Sequence, residues 1–205
     1  VLMSNDYYPA LNQPNVTVHG TGLKEVRGNT LIGQDGSECE ADTVILGTGF
    51  FVTKPPIAER IFDDQGVSLS QHWRDGMQAY KGTTIAGFPN AFMVLGPNLG
   101  IGHNSAFIVI EAQLNYIIDA LTTMRRKGLD RIEITAEAQA DYNHKVQKDL
   151  QGTVWNTGGC SSYYLDRNGF NSVGFPWSTF TMRRLLRRFD ARSYSAAKQR
   201  WSAFT

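Results

Sequence analysis

Apolar and polar positions recur with different periods along the chain, and the changes of period mark out its elements. Phe107, Ile110, Leu114, Ile117, Leu121 and Met124 fall three and four apart, which predicts one apolar stripe of a long helix. Arg125-Arg126-Lys127 and then Gly128 should close it, with cations at the negative helix end and a left-handed cap. Upstream, Ala91-Phe92-Met93-Val94-Leu95 is a short apolar run between Pro89-Asn90 and Gly96-Pro97 and reads as a buried strand. The link between them, Gly96-Pro97-Asn98-Leu99-Gly100-Ile101-Gly102-His103-Asn104-Ser105, is a glycine-rich turn from strand to helix. The first amides of a helix have no partners inside it and carry a partial positive charge, so an electron-rich ligand is expected there.

The same reading covers the flanks. Val16-Thr17-Val18-His19 alternates as a short strand does. Leu31 to Gln34, then Asp35-Gly36, then Ser37 to Glu40 predicts a hairpin, since Asp-Gly supplies the positive φ angles of a tight turn. Thr43-Val44-Ile45-Leu46 is unbroken and β-branched, as a strand buried on both faces would be. It runs into Gly47-Thr48-Gly49-Phe50, where glycines permit close backbone approach at the carboxyl end of the strand; an ordinary strand-to-loop turn is the other reading. Pro55-Pro56 forbids a regular element, and Leu69 to Trp73 is one helical turn or a loop, with Trp73 as an aromatic cap over the core. Arg131 to Thr135 alternates as an edge strand, and Thr135 caps a helix whose buried face is Ala138, Tyr142, Val146 and Leu150. Its opposite face, Glu137, Asp141, Lys145, Lys148 and Asp149, is solvated, and His144 belongs to that surface.

Gly152 to Gly169 mixes small residues, aromatics and hydroxyls without a period over its first half. That composition suits a loop wrapped on a ligand, while Ser161 to Leu165 turning at Asn168-Gly169 would be a plain β-hairpin. Met182, Leu185, Leu186 and Phe189 form a last apolar stripe, backed by Arg183, Arg184, Arg187 and Arg188. Four arginines together are able to grip phosphate, or they form a solvated face or a domain contact. Asp190 to Thr205 carries no specific signal.

Composition narrows the class. The 205 residues are 41% hydrophobic, enough for a substantial core as one domain or parts of two. A net charge of +1 gives no reason to expect nucleic acid or a membrane surface, and no apolar run approaches the roughly 20 residues that span a bilayer. The first residues lack the basic and apolar regions of a signal peptide, and the chain opens without methionine, as a fragment would. Cys39 and Cys160 stand far apart, which suits a reducing, cytoplasmic setting. His19, His72, His103 and His144 share no ligand spacing with them, so no metal site is expected. Cys160 has no histidine near it in sequence and no CxxC partner, and neither a Gly-x-Ser-x-Gly elbow nor a Walker loop is present.

Gly87-Phe88-Pro89-Asn90-Ala91-Phe92-Met93, Gly96-Pro97-Asn98 and Gly102-His103-Asn104-Ser105 together resemble the C-terminal part of the flavin-dependent Baeyer–Villiger monooxygenases; the wider class B flavin monooxygenases share much of this pattern. Ala41 to Phe50 is similar to the family's segment ending in Ala-Thr-Gly-Phe, with Gly47 in place of the alanine. Gly152 to Gly169 is similar to a family segment near the active-site entrance. There Tyr163 falls where many members carry tryptophan, and Asn168 falls on a retained asparagine.

The resemblance implies an α/β fold: the C-terminal portion of a flavoprotein with two Rossmann-like dinucleotide-binding domains, for FAD and for NADPH. Residues 1–47 would end the NADPH domain, 48–130 return to the FAD domain, and 131–205 form a substrate-side segment. It implies cofactor binding by Thr48, Gly49, Phe50, Pro97, Asn98, Gly102, His103, Asn104 and Ser105, with Tyr163 and Asn168 on the cofactor and substrate side. The implied reaction inserts one oxygen atom of O2 into a ketone or aldehyde, or onto a soft nitrogen or sulfur, through a C4a-flavin peroxide. No catalytic residue is assigned, since the family's catalytic arginine lies upstream. The chain carries neither a Gly-x-Gly-x-x-Gly for FAD or NADPH nor the family's histidine–tryptophan fingerprint. It is therefore expected to be inactive without the N-terminal half. The alternative is a non-enzymatic α/β remnant or binding module that keeps the fold without flavin.

Overall fold

The computed structural model describes residues 4–100, 102, 104–159, 164–166 and 168–198, in two compact units, 1–50 and 51–205. In the first, a short helix α1 (Tyr7–Leu11) precedes three antiparallel strands, β1 (Leu23–Arg27), β2 (Thr30–Gly33) and β3 (Glu38–Glu40), in the order β1-β2-β3. The expected hairpin is there: Leu31 pairs with Cys39, Gly36 takes φ +83°, and the Asp35 carboxylate accepts the Ser37 N–H at 3.0 Å. Two expected strands are not. Val16–His19 lies in no sheet among the described residues. Nor does Thr43–Leu46, whose Ile45 is 91% exposed. A strand buried on both faces needs a neighbour on each side, and among the described residues this unit has only the three short strands of its meander, none of them paired with this run.

In the second unit, a turn of 3-10 helix (Pro56–Arg60) leads to α2 (Leu69–His72), which Ser68 and Gln71 start with a reciprocal capping box. Trp73 follows it, packed on the cluster of Ala58, Leu69, Ala79, Ile85 and Phe88, with its indole N–H donated to the Gln78 carbonyl at 2.9 Å. The helix α3 (Ala106–Lys127) has the predicted limits, from Ser105 at its N-cap to Gly128 in the left-handed conformation. β4 (Arg131–Ile134) buries Ile132 and Ile134, and Thr135 caps α4 (Ala136–Leu150) by accepting the Ala138 N–H. α5 (Val154–Thr157) and α6 (Thr179–Leu185) follow, and β5 (Tyr194–Ala197) closes the unit by pairing antiparallel with β4. On α4, Val146 and Leu150 are buried as expected and His144 is exposed; on α6 and just after it, Met182 and Leu186 are buried with Leu185 and Phe189 against them.

The inward face of α3 differs from the one the stripe predicts. Val109, Ala112, Gln113, Tyr116, Ala120 and Thr123 are buried, whereas Phe107 is 74% exposed and Leu114 and Leu121 are exposed as well. The helix has two apolar faces. This unit covers the one with small residues and a polar glutamine, because that face lets loop backbone pack close. Ala91–Leu95 is not a strand either. The Met93 N–H goes to the Thr83 carbonyl at 2.8 Å and the Leu95 N–H to the Gln113 side chain at 2.8 Å, with positive φ at Asn90 and Leu95. These N–H groups are taken by a loop carbonyl and a side chain rather than by a neighbouring strand, so no ladder forms.

Candidate functional site

The Gly96–Ser105 turn is held from three directions. Asn98 is fully buried at φ +58°, and its amide nitrogen donates to the carbonyls of Asn171 at 2.7 Å and Gly174 at 3.0 Å. Its own N–H reaches the Ser172 carbonyl at 2.8 Å, while its side-chain oxygen finds no donor. Gly100 donates to the Val173 carbonyl at 2.8 Å and accepts from Phe175 at 3.1 Å; a Cβ there would stand 2.6 Å from that same Val173 oxygen, so only glycine allows the approach. From α3, Gln113 donates to the Gly82 carbonyl (2.9 Å), the Thr83 hydroxyl (2.9 Å) and the Met93 carbonyl (3.1 Å), and accepts from Leu95.

At the helix start, part of the expected amide site is closed by the chain's own side chains. The Asn104 carbonyl oxygen accepts the Ser105 N–H at 2.7 Å, its amide donates to Thr179 at 2.7 Å, and Ser105 Oγ accepts the Phe107 N–H at 3.2 Å. Ser105, Ala106 and Phe107 are nonetheless exposed, so the positive end of a 22-residue helix remains open to a ligand. Gly102 is explained inside the chain: a Cβ would meet the Trp155 ring at 2.8 Å. Pro97 is buried next to Asn98. His103, Cys160 and Tyr163 lie outside the described residues. Asn168 is exposed on the turn that Asp166 organises by accepting the Asn168 and Phe170 N–H groups. Thr48, Gly49 and Phe50 sit in the first unit, in an open stretch where Phe50 is 95% exposed.

The sequence reading missed a polar cluster around Asp190, in a stretch it took to carry nothing. Asp190 accepts the hydroxyls of Tyr80 and Tyr116, each at 2.5 Å, and of Ser193 at 3.1 Å, and pairs with the Lys81 ammonium at 3.1 Å. Tyr116 also meets Tyr194 (3.0 Å), which bonds Thr84 at 2.8 Å. Lys81 has positive φ and lies within about 5 Å of both the Tyr80 and Tyr116 rings. Burial pulls the Asp190 carboxyl upward, but the Tyr116 and Tyr80 hydroxyls and the Lys81 charge outweigh it and hold it below the ordinary carboxylate range. Burial lowers the Lys81 ammonium against the pull of Asp190, and it pushes the phenols of Tyr80 and Tyr116 far up and that of Tyr194 up to about 12. The cluster ties the residue-80 loop, α3 and β5 together as a brace. The Tyr80-Lys81 pair before a glycine was its only trace in the sequence. Among the described residues no group of three histidine, cysteine or acidic side chains is placed to hold a metal, and no helix is long and apolar enough to cross a membrane.

No protein-family model matches the chain. It is 46% identical over 199 residues, 97% of its length, to a Baeyer–Villiger monooxygenase of Streptomyces coelicolor, of which it covers 38%. It is 34% identical over 180 residues to an FAD-binding monooxygenase of Aspergillus niger, covering 86% of this chain and 29% of that one. Among solved structures, it matches the cyclohexanone monooxygenase of Rhodococcus sp. Phi1 bound to NADP+ with a TM-score of 0.77 and 27% identity, over 95% of this chain and 38% of the enzyme. The chain thus spans less than two fifths of the length of these relatives. Over nearly its whole length the chain is related in sequence and fold to the C-terminal part of Baeyer–Villiger-type monooxygenases, whose fold is that of a flavoprotein with two dinucleotide-binding domains.

Proposed function

We propose that this chain supplies the flavin-edge turn and the substrate-side segment of an FAD- and NADPH-dependent monooxygenase acting on a ketone, an aldehyde or a soft nitrogen or sulfur. The observation that carries the reading is the braced turn from Pro97 to Ser105 at the open N-terminus of α3, in a chain whose relatives are monooxygenases. Pro97, Asn98, Gly102, His103, Asn104 and Ser105 would hold one edge of FAD, and Thr48, Gly49 and Phe50 form a second cofactor-binding stretch. When bound and reduced by NADPH, the flavin supplies the chemistry by which one atom of O2 reaches the substrate. The chain's own part is to hold that edge with a fixed dipole and to keep the turn rigid, since preorganised donors need not reorganise as charge develops. Residues 1–47, 48–130 and 131–205 correspond in this reading to the end of the NADPH domain, the return of the FAD domain and the substrate-side segment. The protein works in the cytoplasm, with no nucleic acid or membrane partner.

Tyr163 and Asn168 are proposed on the side of the nicotinamide and the substrate. In the full-length enzyme, Tyr163→Phe should weaken NADPH binding by about 1 kcal/mol, roughly fivefold, if its hydroxyl makes a hydrogen bond. The deciding experiment is spectroscopic. Full-length protein should purify with a flavin absorbance band and consume NADPH and O2 in step with an added cyclic ketone or thioether, whereas residues 1–205 alone should show negligible NADPH oxidation. A colourless full-length protein that takes up no FAD would point to the non-enzymatic remnant instead.

A further inference from the structure

A groove of about 1030 Å³ runs between α3 and the last turn of α6 with the residues that follow it, lined from Ile108 to Arg126 on one side and from Arg183 to Phe189 on the other. Five arginines line it, Arg126, Arg183, Arg184, Arg187 and Arg188, with Glu111 and Asp119 as the acidic residues of the lining. The Asp119 carboxylate is already engaged, accepting the Phe189 N–H at 2.8 Å. All five arginines are exposed, and among the described residues none is ion-paired. The ends of α3 and α6 carry at most about half a negative charge each, too little to offset this excess. Like charges bunched in this way repel one another and cost the fold some stability. Arg184, Arg187 and Arg188 also line a second, smaller cavity of about 440 Å³ on their other side, so the same three side chains form a ridge between two hollows.

We propose that this groove binds a phosphate-bearing ligand, of the di- or triphosphate class, with the arginine ridge as its clamp. A guanidinium presents paired donors that match two phosphate oxygens, which makes several arginines on one wall more selective for phosphate than lysines would be. The lining carries three more positive charges than negative ones, a better match to a diphosphate than to a single carboxylate. Ile108, Leu186 and Phe189 give the groove an apolar floor on which the rest of such a ligand would rest.

The test is calorimetric titration of inorganic pyrophosphate into the full-length protein that carries this chain, at low salt. One saturable site is expected, weakened about tenfold when ionic strength rises from about 0.05 to 0.3 M. The double variant Arg184→Gln/Arg188→Gln should bind at least tenfold more weakly, and Arg184→Lys/Arg188→Lys should retain most of the affinity at about threefold loss. If the glutamine pair disturbs folding, Arg126→Gln on the opposite wall decides, with a loss of about three- to fivefold. Absence of pyrophosphate binding in the unmodified protein, as when the rest of the polypeptide fills the groove, or equal affinity in the glutamine variants, overturns the proposal. Flavin absorbance read on the same samples reports on the proposed function alone, so the two readings fail separately.

Discussion

Thr43–Phe50 and Ala91–Ser105 each begin with an apolar run that reads as a buried strand and continue into a glycine-bearing turn. The structure separates them. The first is an exposed, irregular stretch, with Ile45 and Phe50 almost wholly exposed, while the second holds the fully buried Asn98 within a mesh of hydrogen bonds. The difference lies in where the partners are. Asn171, Ser172, Gly174 and Gln113 are in the same unit as Asn98 and satisfy its turn directly. The β-branched run at residues 43–46 needs flanking strands, and among the described residues of its unit no strand pairs with it. A polar brace made within the unit fixes a loop more firmly than a strong strand propensity without a sheet.

That contrast can be broken or sharpened by mutation, and the largest effect belongs to the brace. Gln113→Leu keeps the size of the buried side chain but strands the Gly82 and Met93 carbonyls and the Leu95 N–H. A loss of about 3–4 kcal/mol in urea unfolding is expected, and a loss under 1 kcal/mol would show that water replaces the glutamine at no cost.

Asp190→Ala should cost about 2–3 kcal/mol, at the lower end for a broken ion pair because the carboxylate is a third exposed while Lys81 is not. Its pH dependence has a definite sign. The Asp190 carboxyl is depressed in the fold, so its contribution is present above the unfolded value of about 3.9 and is lost as pH falls through the folded one. Acid unfolding of the variant should therefore be shallower than that of the parent. At the alkaline side, Tyr80, Tyr116 and Tyr194 are all raised, so the stability they lend is complete below about pH 10 and is lost as pH rises toward 12 and beyond. Phenolate absorbance should then appear together with unfolding; titration of all the tyrosines near pH 10 in the folded chain would contradict the buried cluster.

Ser105→Ala removes the acceptor of the Phe107 N–H and should cost about 1 kcal/mol, with Ser105→Asp restoring it, measured by thermal melts. The smallest effect is expected in the other region. Ile45→Ser should change the stability of residues 1–205 by less than about 0.5 kcal/mol, because the side chain is already in water. The same substitution in the full-length protein should cost several times more if strands from elsewhere cover it, and an equal, negligible effect in both would leave that run without a structural role.

What the sequence determined by itself were the elements whose stabilising contacts lie within a few residues. The Asp35-Gly36 hairpin, the limits of α3 from Ser105 to Gly128, the Thr135 cap and the alternation of β4 all rest on local turn geometry, capping and period, and all are in the structure. The family, too, was legible in the motifs from Gly87 to Ser105. Tertiary structure alone decided which of two apolar faces α3 turns inward, because that depends on what packs against it: the loop at Gly82 and Met93 claims Gln113, and the second face is left to solvent. It alone joined Tyr80, Lys81, Tyr116 and Asp190, up to 110 residues apart in sequence, into one buried cluster. No period or motif encodes such a meeting, since a charge and a phenol become partners only when folding removes both from water.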